Sequence, residues 1–256
     1  MYQLISYIKF LLKSTNHHGV HSPFVYDLVT KCFYDTKDYS VYEKITTYRI
    51  ALLSNSNTIH ITDFGSGSKV FSSNTRAIKE IAKTSGTSEK RARLLYRLVS
   101  HLKANNILEL GTSLGMGTYA MASANSKAHI TSIEGCPEIS NVAKHQLANF
   151  HIENVLLKVG AFNEVLPNLD KQPYDLVFFD GHHDKEATLR YFEQLLPATH
   201  NDSVFIFDDI HWSKGMGEAW QLIKQHPSVT VSIDTFYWGF IFFRTEQVKE
   251  NFVVRL

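Results

Sequence analysis

Seven short apolar runs recur in the second half of the chain, and their spacing limits the folds open to it. They are Ile107–Leu110, His129–Ile133, Val155–Val159, Leu176–Phe179, Val204–Phe207, Val229–Ile233 and Phe240–Phe243. A strand joined in parallel to the next needs a crossover of helix length. A strand covered on both faces reads as a continuous apolar run rather than an alternating one. The first five runs meet both conditions, which predicts βαβ units and a buried parallel sheet. Only Asp234 to Gly239 separates the last two, too little for a crossover, so they form an antiparallel hairpin. The expected class is α/β: a doubly wound, seven-stranded, mostly parallel sheet with a C-terminal antiparallel hairpin.

This rhythm starts only after about residue 85, so residues 1–85 are expected as a helical N-terminal extension or cap and 86–256 as the main domain. With 44% hydrophobic and 20% charged residues, the chain has the balance of a globular protein with a full core. A net charge of +1 provides no field that would recruit nucleic acid or an anionic membrane. Cys32 and Cys136 fit no metal or redox spacing, and a cytoplasmic location is expected. At the N-terminus, Leu4, Ile5, Ile8, Leu11 and Leu12 fall on one helical stripe. Lys9 interrupts the run, which is too short to span a bilayer and lacks a small-residue cleavage site. The stripe is expected to pack on the body of the protein or on a second subunit, giving a homodimer through the N-terminal helices.

Three further N-terminal features have plain readings. His17, His18 and His21 lack an acidic or cysteine partner at ligand spacing, so a capped turn is expected, with Ser22 as N-cap and Pro23 at the first helical position. Asp63-Phe-Gly65-Ser-Gly67-Ser68 resembles a phosphate loop but lacks the lysine and hydroxyl residue that would follow its last glycine. Lys69, Arg76, Lys79, Lys83, Lys90, Arg91, Arg93 and Arg97 read as a solvated helix face, without the aromatic interleaving of single-strand binders.

Chemistry concentrates in Ile107-Leu-Glu109-Leu-Gly111-Thr112-Ser113-Leu-Gly115-Met-Gly117-Thr118. A strand ends beside an acid, and a glycine-rich turn opens a helix, so backbone amides and a helix N-terminus face a ligand. Gly115-Met-Gly117-Thr-Tyr-Ala120 formally fits a dinucleotide pattern, and a nicotinamide-dependent oxidoreductase is the alternative reading. In dinucleotide folds, however, the pattern begins directly at the strand end, whereas here Gly111 occupies that place. Glu109 would repel a pyrophosphate but suits an ammonium. S-adenosylmethionine (SAM) carries an ammonium and no phosphate, and the spacing favours it. Glu134, ending the second strand, can accept both ribose hydroxyls. Gly160, Ala161 and Phe162 leave room for adenine beside Asn163.

The stretch from about Thr84 to Arg244 resembles the catechol and caffeoyl-CoA O-methyltransferase group of the Rossmann-like class I methyltransferases. The resemblance is carried by Ser88 to Leu95, Ile107 to Gly117, Gly160 to Leu169, Tyr174 to His183 and Val204 to Asp209. It implies methyl transfer to the hydroxyl of a small-molecule acceptor. It also implies a Mg²⁺ or other divalent cation at Asp180, Asp208 and Asp209, although the group usually has Asn at the last position and a lysine beyond the first acid that is absent here. His183 stands near that place, and His183 or His211 would take the acceptor proton, with Asp180 orienting the acceptor. Asp180 and His182 are also expected near the donor. Trp212, Phe236, Tyr237 and Trp238 are candidates for an aromatic pocket edge. A methyltransferase acting on lipid or RNA is a further alternative that these residues leave open.

Overall fold

A computed structural model of the chain describes residues 1–62, 74–170 and 172–256. The chain forms two compact units. The first combines Met1–Asp35 with the chain from 172 onward; the second comprises Thr36–Asp170. In chain order, the first unit begins with helices α1 (Tyr2–Lys13) and α2 (Pro23–Leu28). The second holds α3 (Val41–Ser54), β1 (Thr58–His60), β2 (Thr75–Ala77), α4 (Ile78–Thr84), α5 (Glu89–Leu102), β3 (Asn106–Leu110) and α6 (Met116–Ala124). It continues with β4 (His129–Glu134), α7 (Pro137–Asn149), β5 (Val155–Val159) and α8 (Phe162–Val165). The first unit resumes with β6 (Leu176–Phe179), α9 (Lys185–Leu195), β7 (Val204–Asp208), α10 (Lys214–Gln225), β8 (Val231–Asp234), β9 (Trp238–Phe242) and β10 (Glu250–Val253). The expected loop at Asp63 to Ser68, and Lys69, lie outside the described residues.

In the second unit β3, β4 and β5 are parallel, with Glu109 opposite Ser132, Leu110 opposite Ile133 and Glu134 opposite Val159. This register brings the chemistry-bearing ends of the strands level. β5 is half-buried, with Leu156 and Val159 exposed, as suits the end of this strand group. Helix α5 starts at Ser88, whose hydroxyl accepts the Arg91 N–H, and buries Ala92, Leu95, Leu98 and Val99 at helical spacing. The basic stretch is solvated and paired: Lys83 meets Glu80, Arg93 meets Glu89, and Arg97 donates to the Tyr42 hydroxyl.

In the first unit the strand order is β10-β8-β9-β7-β6. β6 and β7 are parallel, and β9 lies antiparallel to both β7 and β8, so the expected hairpin is present. Its turn is held by Asp234, whose Oδ1 accepts the Phe236 N–H at 2.8 Å while Phe236 adopts φ +74°. An additional strand, β10, pairs parallel with β8. Its sequence, Glu-Asn-Phe-Val, has no apolar run to announce it. Ser22 caps α2, as its position before Pro23 implies.

The N-terminal stripe does not take the first of its two expected partners, the body of the protein. Leu4, Ile5, Ile8, Leu11 and Leu12 are all exposed in the single chain. Helix α1 instead turns its opposite side inward, burying Phe10, with Phe10 and Tyr7 both against the Phe236 ring. No described helix is long and apolar enough to cross a membrane.

Gly239 shows how tightly β9 meets its neighbours. A Cβ there would lie 2.7 Å from the Trp220 ring and 3.0 Å from Ile210. Trp220 is fully buried and cannot retreat without disturbing the packing. Gly239→Ala is expected to destabilise the protein by about 1–3 kcal/mol, read as a lower urea midpoint at constant slope. An unchanged midpoint would contradict this packing.

Candidate active site

The turn after β3 is built from unusual backbone. Gly111 has φ +107°, Ser113 +47° and Gly115 +77°, while the Gly111 and Thr112 amides both donate to the Ile133 carbonyl. A Cβ on Gly115 would lie 2.7 Å from the Tyr48 hydroxyl. Tyr48 comes from α3, is fully buried, and donates to the Leu114 carbonyl at 2.9 Å. It also stacks on Tyr119 of α6 at 4.6 Å. Burial and the nearby Glu109 hold the phenol well above its ordinary pKa, so it serves as a donor throughout. Sequence reasoning did not single out Tyr48. Its only signal is its place in the apolar period Ile45, Tyr48, Leu52, which reads as core.

Glu134 closes the turn. Its Oε2 accepts the Ser113 N–H at 2.9 Å and its Oε1 the Cys136 N–H at 3.0 Å. Glu109, expected at the donor ammonium, is buried and hydrogen-bonded to its neighbours. It is 1% exposed, and its Oε2 accepts from the hydroxyls of both Thr118 and Ser132, while Thr112 shares a hydrogen bond with Ser132. The acid lies beneath the turn as part of its frame. Burial raises its pKa to about 7 despite these two hydrogen bonds, and nearby Glu134 adds to the rise. Gly117 is required here too, because a Cβ would meet Glu109 Oε1 at 2.9 Å.

After β5, Gly160 at φ +147° donates to the Glu134 carbonyl at 3.0 Å, and Ala161 leads into α8. Phe162 is buried and Asn163 exposed. Arg49, Leu52, Ser85, Gly86, Thr87, Thr112, Ser113 and Met116 line a cleft alongside the turn.

The first unit carries a separate cluster at the ends of β6 and β7. One ligand atom from each of Asp180, His183 and Asp208 lies within 4.8 Å of the others. Two carboxylate oxygens and an imidazole nitrogen fit a divalent cation that accepts mixed oxygen and nitrogen ligands. Asp209, expected with Asp180 and Asp208, is not a member of this group among the described residues. The chain turns left-handed at Asp209, φ +53°, and its N–H donates to Asp208 Oδ1 at 2.8 Å. His183 joins the two acids instead. His182, with φ +57°, has its Nδ1 3.5 Å from the Tyr191 hydroxyl.

His211 follows the β7 end and has a partner that the sequence did not flag. Its Nε2 lies 2.9 Å from Asp234 Oδ2, and its ring stacks on Phe236 at 5.2 Å. Asp234 thus serves both the histidine and the hairpin turn. Of the candidate aromatics, Phe236 and Trp238 are buried, whereas Trp212 and Tyr237 are exposed.

Residues 108–210 match the family model described as "Methyltransferase domain". The chain is 28% identical to a catechol O-methyltransferase of Mycobacterium tuberculosis over 125 residues, 48% of this chain and 56% of that protein. It thus spans little more than half the length of the curated relatives it matches. Its fold is similar to that of an O-methyltransferase from Bacillus cereus in complex with SAH, at 20% identity and TM-score 0.56, covering 83% of this chain and 93% of that one. It is also similar to the O-methyltransferase TomG from Streptomyces achromogenes in complex with SAM, at 18% identity and TM-score 0.58, covering 81% and 91%. The Rossmann-like α/β class read from the sequence is the fold of these proteins.

Two outcomes follow from the turn. Gly115→Ala forces a side chain into positive φ and onto the Tyr48 hydroxyl, so affinity for S-adenosylhomocysteine (SAH) should fall at least about tenfold by calorimetry; unchanged affinity would contradict the geometry. Glu109 is neutral longer in the folded than in the unfolded chain. Its effect is therefore a loss of stability as pH rises from about 4.5 to about 7, level above that. Glu109→Gln should remove this loss, gaining up to roughly 3 kcal/mol at pH 8 and nothing below pH 4. Parallel stability-against-pH curves for the two proteins would contradict it.

Proposed function

We propose that the protein transfers the methyl group of SAM to a hydroxyl oxygen of a small acceptor, in the cytoplasm. The observation that carries this reading is the glycine turn with three residues at positive φ, closed at the end of β4 by the Glu134 carboxylate, which accepts the Ser113 and Cys136 amides. The matches to methyltransferases support the same reading. Cys32 and Cys136, both buried and not joined in a disulfide, fit a reducing compartment. Residues 86–256 are assigned the transfer chemistry, and 1–85 the part that adapts the chain to its acceptor, apart from α3, which braces the donor turn through Tyr48.

The sulfonium of SAM already makes its methyl electrophilic, so the protein's task is alignment and disposal of the acceptor proton. Gly111 to Gly115 hold the amino-acid end of the donor, Glu134 its ribose, and Gly160 to Phe162 its adenine. A divalent cation at Asp180, His183 and Asp208 would polarise the acceptor hydroxyl. His183 is then committed as a ligand, which leaves His211 as the base. Asp234 accepts from Nε2 of His211, keeping the proton there and leaving Nδ1 open to receive one. The carbon–sulfur bond breaks as the carbon–oxygen bond forms, the acceptor proton passes to His211, and SAH leaves.

The test uses SAM labelled in its methyl group with a panel of small aromatic and aliphatic hydroxyl compounds. Transfer to oxygen is expected, reduced by a chelator and restored by Mg²⁺. His211→Ala should lower turnover by about 100-fold or more while leaving SAH affinity unchanged. Transfer to no hydroxyl compound by protein that binds SAH would contradict the reaction, and undiminished turnover in His211→Ala would contradict the assignment of the base.

A further inference from the structure

Helix α3 reaches the donor turn through two successive residues with different fates. Tyr48 is sealed beneath the turn, its hydroxyl on the Leu114 carbonyl and its own carbonyl accepting from Gln146. Arg49 follows it on the helix and lines the cleft with Leu52, one turn on. Ser85, Gly86, Thr87, Thr112, Ser113 and Met116 line it too. Gly86, at φ +84°, brings its backbone so near the turn that a Cβ would lie 3.0 Å from Ser113 Oγ.

Arg49 is half-buried, and no hydrogen bond or ion pair engages its guanidinium among the described residues. Most arginines around it are engaged: Arg93 pairs with Glu89, and Arg97 donates to Tyr42. An arginine fixed by its neighbour's buried hydrogen bond, at a cleft of hydroxyls and turn backbone, is placed to meet an anion. Carboxylate matches the guanidinium fork in shape and charge.

We propose that Arg49 binds the amino-acid carboxylate of the methyl donor, making α3 part of the donor site. The inference rests on the donor reading of the same turn. Arg49 lies outside residues 108–210, which the methyltransferase model matches. It gives the cleft a cation for the carboxylate beside the turn's backbone amides. It also gives selectivity: a ligand with the same adenosine and thioether but no carboxylate gains nothing from Arg49.

The test is calorimetric titration of the full chain and Arg49→Met with SAH and with decarboxylated SAH, which keeps the ammonium. Expected is a loss of about 10- to 100-fold for SAH in Arg49→Met, with decarboxylated SAH binding both proteins within about twofold. Arg49→Lys, which keeps a point charge, should recover part of the SAH affinity and guards against a folding defect in the methionine variant. Equal losses for both ligands would overturn the proposal in favour of a structural role, and unchanged SAH affinity in Arg49→Met would overturn it outright. Failure of the unaltered protein to bind SAH at all would overturn the donor reading and this proposal together, which separates the two cases.

Discussion

A buried carboxylate organises the donor half of the protein. Glu109 at the end of β3 receives hydrogen bonds from Thr118 on α6 and Ser132 on β4, and Ser132 is in turn bonded to Thr112 of the turn. One fully buried acid therefore ties together a strand, its neighbour, the loop between and the helix that follows. Burying a carboxyl costs free energy unless its hydrogen bonds are satisfied, and here two hydroxyls satisfy it while its raised pKa lowers the charge it must carry. The turn above can then hold three residues at positive φ, a conformation that persists only where the surroundings over-determine it.

The same turn is braced from the other side by α3. Tyr48 fills the space that a side chain at Gly115 would take, so the glycine is required by a neighbour as well as by its dihedral. Glu134 completes the frame by binding the amides of Ser113 and Cys136. In the proposed function, donor recognition depends on this preorganised backbone, and the polar side chains around it serve mainly to hold it in place. In the other unit Asp234 has a comparable double task, pinning the hairpin turn through one oxygen and His211 through the other.

Much of this was legible because buried parallel strands leave continuous apolar runs. Ile107–Leu110 and Val204–Phe207 could be read directly, and each ends beside an acid. Glu-Asn-Phe-Val of β10 could not, since half its residues are polar. The α1 stripe was real as a period, but periodicity does not say which side of a helix meets the body; Phe10, Tyr7 and Phe236 decide that through aromatic packing. Asp180 and Asp208 stand at strand ends, where an acid is a visible candidate, whereas the left-handed turn at Asp209 has no sequence signature. Tyr48 and Arg49 sit in a helix with no motif, and their roles follow only from what lies next to them. Asp234 was visible as a strand-end residue but not as a partner of His211.

The most direct test of the account is a crystal structure grown with SAH. The account predicts the homocysteine moiety along Gly111 to Gly115 and the ribose hydroxyls on the Glu134 carboxylate, with Glu109 still buried beneath the turn. Density for SAH elsewhere, or a ribose that leaves Glu134 uncontacted, would contradict it.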